Sequence, residues 1–399
     1  MTPEMMEQPS SETPGPGASG LPNPPDTLPP EAASAAPDRG LWETLVLGAL
    51  GGVREDERKG FTAAIRRALN RPILPHQARR LRLSSAILTL LVLEVVFGIY
   101  MMLHYVPAID GAPESVRYID QTLTFGWFAR SFHLWNGRVL AFMLGLGLVR
   151  MILAADYKDR GRSKWLAAVA MLLTAMVFQA TGVALVHTEQ GVIATEKLAN
   201  ALGDFPLIGG ALRAFLVEPT SEPQRPLTRA FVAHVAVLPW FLFALVIVVH
   251  STRTRVLKLR LQVDGKPEAL AQPLWPDRIL QAAALALVVV GATAALAVTF
   301  PPELGAPGAA VDRAKVAVDP VLRIFTNAAG IAAESSTSVF TGRSAALTVL
   351  LLVAGLFIVL PFFDRGTERR PKHRVRIVLA SLFLFAILLL AAIYRGASS

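Results

Sequence analysis

The 399-residue chain contains no cysteine, which excludes disulfides, zinc–thiolate centres, iron–sulfur clusters and thioether-linked haem as features of its own. Any metal must rest on His, Met or carboxylate. Charge is scarce as well: 17% of residues are Asp, Glu, Lys or Arg and 53% are hydrophobic, whereas soluble domains hold about 25% charged residues. With a mean hydropathy of +0.47, the composition is that of a membrane protein. The net charge of +9 does not point to nucleic acid, because the basic residues gather in the connections between apolar runs.

Large apolar side chains are nearly absent from residues 1–40, which are dense in Pro, Ser, Gly and Ala. Such a segment cannot bury enough surface to offset its ordering entropy, so a disordered tail is expected. It has no basic start and no apolar core, so it does not read as a signal peptide. Residues 41–84 form a basic, partly amphipathic stretch suited to one or two surface helices at the membrane.

Seven apolar runs follow, at about 85–105, 134–155, 165–186, 230–249, 279–300, 345–363 and 375–394. Each approaches the ~20 residues that carry a helix across about 30 Å of hydrocarbon. The runs are continuous rather than alternating, which argues against a β-barrel. Connections 41–84, 156–164, 251–278 and 364–376 lie on one side and hold 25 of the 39 Lys and Arg. That side is expected to be cytoplasmic. The N-terminus would then be cytoplasmic and the C-terminus outside, as for a bacterial-type inner membrane. Long connections 107–130, 188–230 and 301–343 would face the opposite compartment and carry a site or a partner.

Histidine inside a span is costly unless partnered. His133 and His234 each follow an outer connection by a few residues and enter the membrane from the same side, so they sit at one depth on two helices. Two imidazoles at one level of a bundle can hold a haem iron from both faces; a pair of unrelated histidines bonded to backbone is the alternative. Arg130 and Arg229 lie within five residues of them, placed for haem propionates. Gly98 and Gly182 remove side chains at the same depth, as close approach of a flat macrocycle requires.

From Ser84 to Arg255 these features stand in a longer pattern: Gly98 to Pro107 with His104-Tyr105 inside it, Ser115-Val116, Gly126-Trp127 to His133, Thr181-Gly182, Pro206 to Gly209, Leu227 to His234, and Leu238-Pro239-Trp240. It continues more weakly through Pro276-Asp277, Leu304 to Pro307 and Pro361 to Gly366. The sequence resembles the cytochrome b family of quinol-oxidising Rieske/cytochrome b complexes, with the N- and C-terminal parts fused in one chain. The resemblance implies an all-α membrane protein with seven transmembrane helices: a four-span haem-binding bundle over 85–255 and a three-span C-terminal domain over 276–395. It also implies haem b, electron transport, a dimer or heterodimer of cytochrome b-type chains, and Rieske iron–sulfur and cytochrome c-type partners in the lipid membrane.

In that family each of two stacked haems takes one His from the second span and one from the fourth. The outer pair carries over to His133 and His234. The inner second-span position is Gly147, and Arg150 follows it by three as in the family. On the fourth span the inner position falls at Val248 or Val249, with His250 one or two residues beyond. Sixteen residues from His234 turn a straight helix by about 160°, the wrong face, unless a bulge near Pro239 corrects it. Ser84 and Ala168 replace the family's inner glycines. One haem is therefore expected, with His250 alone, as a five-coordinate ligand, the alternative for a second.

The family's Pro-Glu-Trp-Tyr tetrad, whose Glu takes a quinol proton, is matched here by Pro320-Val321-Leu322-Arg323. His187 and Glu189 are weak candidates for a substitute base; solvated loop residues is the other reading. Glu94 stands in mid-span where related chains have Gln, and reads as a hydrogen-bonding group of the haem pocket rather than a proton carrier. The expected function is a divergent cytochrome b subunit carrying electrons through at least one outer bis-His haem. The rivals are a redox-poor paralogue that scaffolds or pairs with a complete cytochrome b and, less supported for want of an inverted repeat, a transporter.

Overall fold

A computed structural model describes residues 72–73, 75–158, 161–217, 224–263, 272–273 and 276–304, with most of 311–326 and of 352–393. The expected tail and most of the 41–84 segment lie outside the described residues. Helix α1 spans Pro75–Met102, opening on a proline whose missing N–H costs nothing in a first turn. Then come α2 Gly111–Gln121, α3 Gly126–Leu153, α4 Arg162–Val186, α5 Glu189–Gly203, α6 Gly209–Leu216 and α7 Gln224–Val232. A five-residue π-helical turn, Ala233–Val237, joins α7 to α8, Leu238–Val263. The chain continues as α9 Asp277–Thr299, α10 Ala354–Phe363 and α11 Val375–Ile393. The strands are β1 Pro72–Ile73 and β2 Gln272–Pro273, which pair antiparallel.

Among the described residues five helices are long and apolar enough to cross a membrane: Leu81–Met102, Gly126–Leu153, Arg162–Val186, Gln224–His250 and Asp277–Thr299. They match the first five predicted runs. The sixth and seventh runs hold the shorter apolar helices Ala354–Phe363 and Val375–Ile387, and the rest of the sixth run is outside the described residues. The second span begins earlier than expected, at Gly126, where Phe125 takes a left-handed conformation (φ 59°) to start the helix. His133 is thereby about two turns inside the helix rather than at its end.

The helices pack α1 on α3, α3 on α4 and α4 on α8, with α9 against both α1 and α3. One apolar cluster draws on all five: Leu90 from α1, Leu144 from α3, Ala175 from α4, Leu245 and Val249 from α8, and Val289 from α9. Outward faces are apolar too, with Leu88, Val92, Val95 and Ile99 of α1 and Trp240 and Phe243 of α8 exposed. Lipid is the solvent that tolerates such surfaces. In lipid, apolar burial no longer drives association, so small residues and interhelical hydrogen bonds matter more. The Ser131 hydroxyl donates to the Ala297 carbonyl at 2.6 Å, and Ser85 to that of Ala282 at 3.3 Å.

The two ends of the bundle differ. Connections 107–130 and 188–230 are built largely of α2, α5 and α6 rather than open loops, and they interlock. The Gln224 side chain accepts from the Ile109 amide (3.1 Å) and donates to the Pro107 carbonyl (2.9 Å), and the Tyr105 hydroxyl donates to the Leu185 carbonyl (2.9 Å). At the opposite, basic end, Asp364 sits buried between Lys158 Nζ (2.7 Å), Arg374 Nη2 (2.9 Å) and the Tyr157 hydroxyl (2.6 Å). That network ties the turn after α3 to the start of α11.

Candidate functional site

His133 of α3 and His234 of the π turn come together between the helices, their ring centres 6.2 Å apart and their planes at 62°. Two imidazoles bound from opposite sides to one ion, at about 2 Å per metal–nitrogen bond, would have centres roughly 6 Å apart. Each ring rests on a glycine of the neighbouring helix. A Cβ at Gly98 (α1) would lie 3.3 Å from His133 Cε1, and a Cβ at Gly182 (α4) would lie 3.2 Å from His234 Cε1. In both cases Nδ1 is the next ring atom met, at 3.8 Å. The two pairs are thus arranged alike, the Nδ1–Cε1 edge of each ring against glycine and the Nε2 side turned from it. The expectation placed these glycines against a macrocycle; the contact they make is with the imidazoles.

The partners of the two Nδ1 atoms differ. Thr181 Oγ1 lies 2.9 Å from His234 Nδ1 and also donates to the Val177 carbonyl at 2.9 Å. With its one proton on that carbonyl, the hydroxyl accepts from Nδ1–H, which leaves Nε2 as the basic nitrogen. His133 Nδ1 is buried without a hydrogen-bond partner and faces Glu94 Oε1 at 3.4 Å. Asn136 Nδ2 donates to that carboxyl's other oxygen and to the Leu90 carbonyl at 2.9 Å. The Gln179 amide is admitted beside it because Gly137 has no side chain. Phe178 stands edge-on to His234 at 5.2 Å, and Phe97 of α1 packs with Phe128 and Phe132 of α3 in a cluster of their own.

Sequence spacing drew Thr181 only as part of a motif. Its role depends on the hydroxyl pointing across to another helix, which spacing does not carry.

The arginines are engaged. Arg130 Nε donates to Asp120 at 2.7 Å and Nη2 donates to the Pro302 carbonyl; Arg229 Nη1 donates to the Ala214 carbonyl at 2.7 Å. Arg229 also lines a shallow apolar recess with Phe215, Val232 and Val237. His187 caps α4 in a left-handed conformation (φ 46°), and burial holds its imidazole below the ordinary value. Glu189 opens α5 beside its N-cap Thr188 and pairs with Arg117 at 3.4 Å. Neither is brought to the histidine pair by any contact described here.

At the level where a second pair would sit, Gly147 has Ile87 Cδ1 at 3.8 Å from its would-be Cβ. Leu144, Ala141, Met171, Val246 and Val249 fill the surrounding core. The predicted bulge exists, at Ala233–Val237 directly before Pro239. Absorbing one residue, it makes the sixteen-residue step from His234 to His250 equivalent to fifteen, about 60° from the same face. His250 is nevertheless exposed, while the inward face of α8 carries Leu242, Leu245, Val246 and Val249. At the tetrad position Leu322 is 1% exposed and packs with Leu198, Leu216 and Val318, while the buried Asp319 accepts from Arg138 at 2.8 Å.

Residues 70–255 match the family model described as Cytochrome b/b6/petB. The chain is 28% identical over 200 residues to cytochrome b6 of Synechococcus elongatus, covering 50% of this chain and 93% of that protein. It is 29% identical over 173 residues to cytochrome b6 of Mastigocladus laminosus, covering 43% and 80%. Among solved structures, a chain of a hyperthermophilic respiratory Complex III shares the fold with a TM-score of 0.62 at 18% identity, over 79% of this chain and 84% of that one. Members of the matched family bind b-type haem. Family match, relatives and fold agree: over residues 70–255 this chain, an integral membrane protein, is similar to the cytochrome b family as a divergent relative.

Proposed function

We propose that this chain is an electron-transfer subunit of a membrane quinol-oxidising complex that holds one haem b between His133 and His234. The observation that carries the reading is the histidine pair itself: ring centres 6.2 Å apart on two helices, each ring backed by a glycine. The orphaned His133 Nδ1 and the Thr181-bonded His234 Nδ1 both leave Nε2 as the ligating atom, which is what the donor set of a bis-His haem requires. A haem so ligated supplies one-electron transfer and no open position for substrate. The protein's part is to fix the two imidazoles, with Phe178 edge-on to His234.

The apolar packing around Gly147 and the exposure of His250 support one haem rather than two. The burial of Leu322 in a core cluster favours a chain without its own quinol proton acceptor. Working alone it would not bifurcate electrons. Pairing with a more complete cytochrome b, and with Rieske and cytochrome c-type subunits on the outer side, would supply what is missing; a purely scaffolding paralogue is the rival. Pyridine haemochrome analysis of the purified protein tests this. One haem per chain, lost in His133→Ala and in His234→Ala and kept in His250→Ala, is the expected result. Two haems, or none, would sink it.

A further inference from the structure

Glu94 is the polar group of the bundle that the ligand reading leaves unused. It lies four residues before Gly98 and therefore projects from nearly the same face of α1, one turn away. Its carboxyl reaches His133 Nδ1 (3.4 Å) with one oxygen and Asn136 with the other. Asn136 is fully buried and is itself fixed by the Leu90 carbonyl. The same carboxyl oxygen would stand 3.2 Å from a Cβ at position 137, so the glycine there clears its path. Three helix positions therefore converge on aiming one acceptor at the buried Nδ1 of His133, which has no hydrogen-bond partner among the described residues.

We propose that Glu94 is a positioning residue for His133: when the haem is bound, its carboxyl closes the 3.4 Å gap to accept a hydrogen bond from Nδ1–H, directs Nε2 to the haem iron, and holds the haem's midpoint potential low. This rests on His133 being an axial ligand. An acceptor on Nδ1–H fixes the ring tautomer and makes the other nitrogen a stronger donor, as partners of metal-bound histidines do. A stronger donor favours the more positively charged, oxidised iron and shifts the potential negative. His234 has neutral partners, the Thr181 hydroxyl and the Phe178 backbone, so the two ligands are tuned unequally.

The experiment is an optical redox titration of the purified protein, with haem content measured on the same samples. Glu94→Leu removes the acceptor, and its midpoint is expected to move positive with haem retained. Glu94→Gln keeps an acceptor oxygen and is expected to move less in the same direction. Thr293→Val removes a buried hydroxyl of α9 that donates within its own helix to the Val289 carbonyl, and its midpoint is expected to stay at the wild-type value. Haem-replete Glu94→Leu with an unchanged midpoint would overturn the role of Glu94 and leave the ligand assignment standing. An equal shift in Thr293→Val would overturn it too, by reducing the effect to general polarity. Haem that survives His133→Ala with an unaltered spectrum would overturn the ligand assignment, and this proposal with it.

Discussion

Thr181 Oγ1 stands 2.9 Å from Nδ1 of His234 across the α4–π-turn interface and 2.9 Å from the Val177 carbonyl of its own helix. With its proton on that carbonyl the hydroxyl accepts from Nδ1–H, the arrangement that leaves Nε2 basic and holds the ring against Gly182. Thr181→Val keeps the shape and removes the acceptor. Partners of this kind typically contribute about 10–100-fold in metal affinity, so haem retention is expected to fall by that order, with Thr181→Ser close to wild type. Haem titration of the three proteins measures it, and equal affinities would refute the role.

The two glycines under the rings differ from Gly147 in what a side chain would meet. Gly98→Val and Gly182→Val would place branched carbons where the imidazole edges already stand within 3.4 Å of a Cβ, and haem content is expected to drop sharply. Gly147→Ala meets Ile87 at an ordinary 3.8 Å and is expected to leave haem stoichiometry unchanged. Absorbance at the Soret band per mole of protein distinguishes these outcomes.

Asp364 is buried with Lys158 and Arg374 around it. Burial opposes its ionisation, but hydrogen bonds from Lys158 and Tyr157 and the charge of Arg374 outweigh that and hold the carboxyl below its ordinary value. A depressed folded-state value means the stabilisation is complete above the ordinary carboxylate range and is lost as pH falls through the folded value. Asp364→Asn removes the carboxylate that Lys158 and Arg374 share and is expected to cost about 3–5 kcal/mol. Thermal denaturation in detergent at neutral pH checks this, and wild type and variant should converge in acid.

The expected topology has an odd number of spans. Cysteines introduced at Ser10 and Ser399 of this cysteine-free chain should react with impermeant reagent from opposite faces of the membrane. Labelling from one face would mean an even number of crossings and overturn the seven-span reading.

The positions of the first five spans were legible because a helix in lipid must be apolar for some twenty residues whatever its neighbours do. The meeting of His133 and His234 followed from counting residues inward from one membrane face, since rise per residue converts sequence into depth. Helices α2, α5 and α6 were read as open connections because the polar composition outweighed their local signals. Pro113 and Glu114 in the first turn of α2 and the Thr188 side chain accepting from Gly191 at 3.3 Å are such signals. Nor could spacing say what Gly98 and Gly182 touch. Clearance is a property of two helices at once, and either a porphyrin or an imidazole would demand it.

Because the π turn closes over Ala233–Val237, the long helix behaves as two rods spliced with one residue to spare. Removing a single residue from that turn would restore a regular helix and leave Leu242, Leu245, Val246 and Val249 on the face they already turn to α1, α3 and α4, whereas removing one further along α8 would rotate everything beyond it by about 100°. The turn is thus the place where this helix holds one residue more than a regular helix needs without turning its inward face.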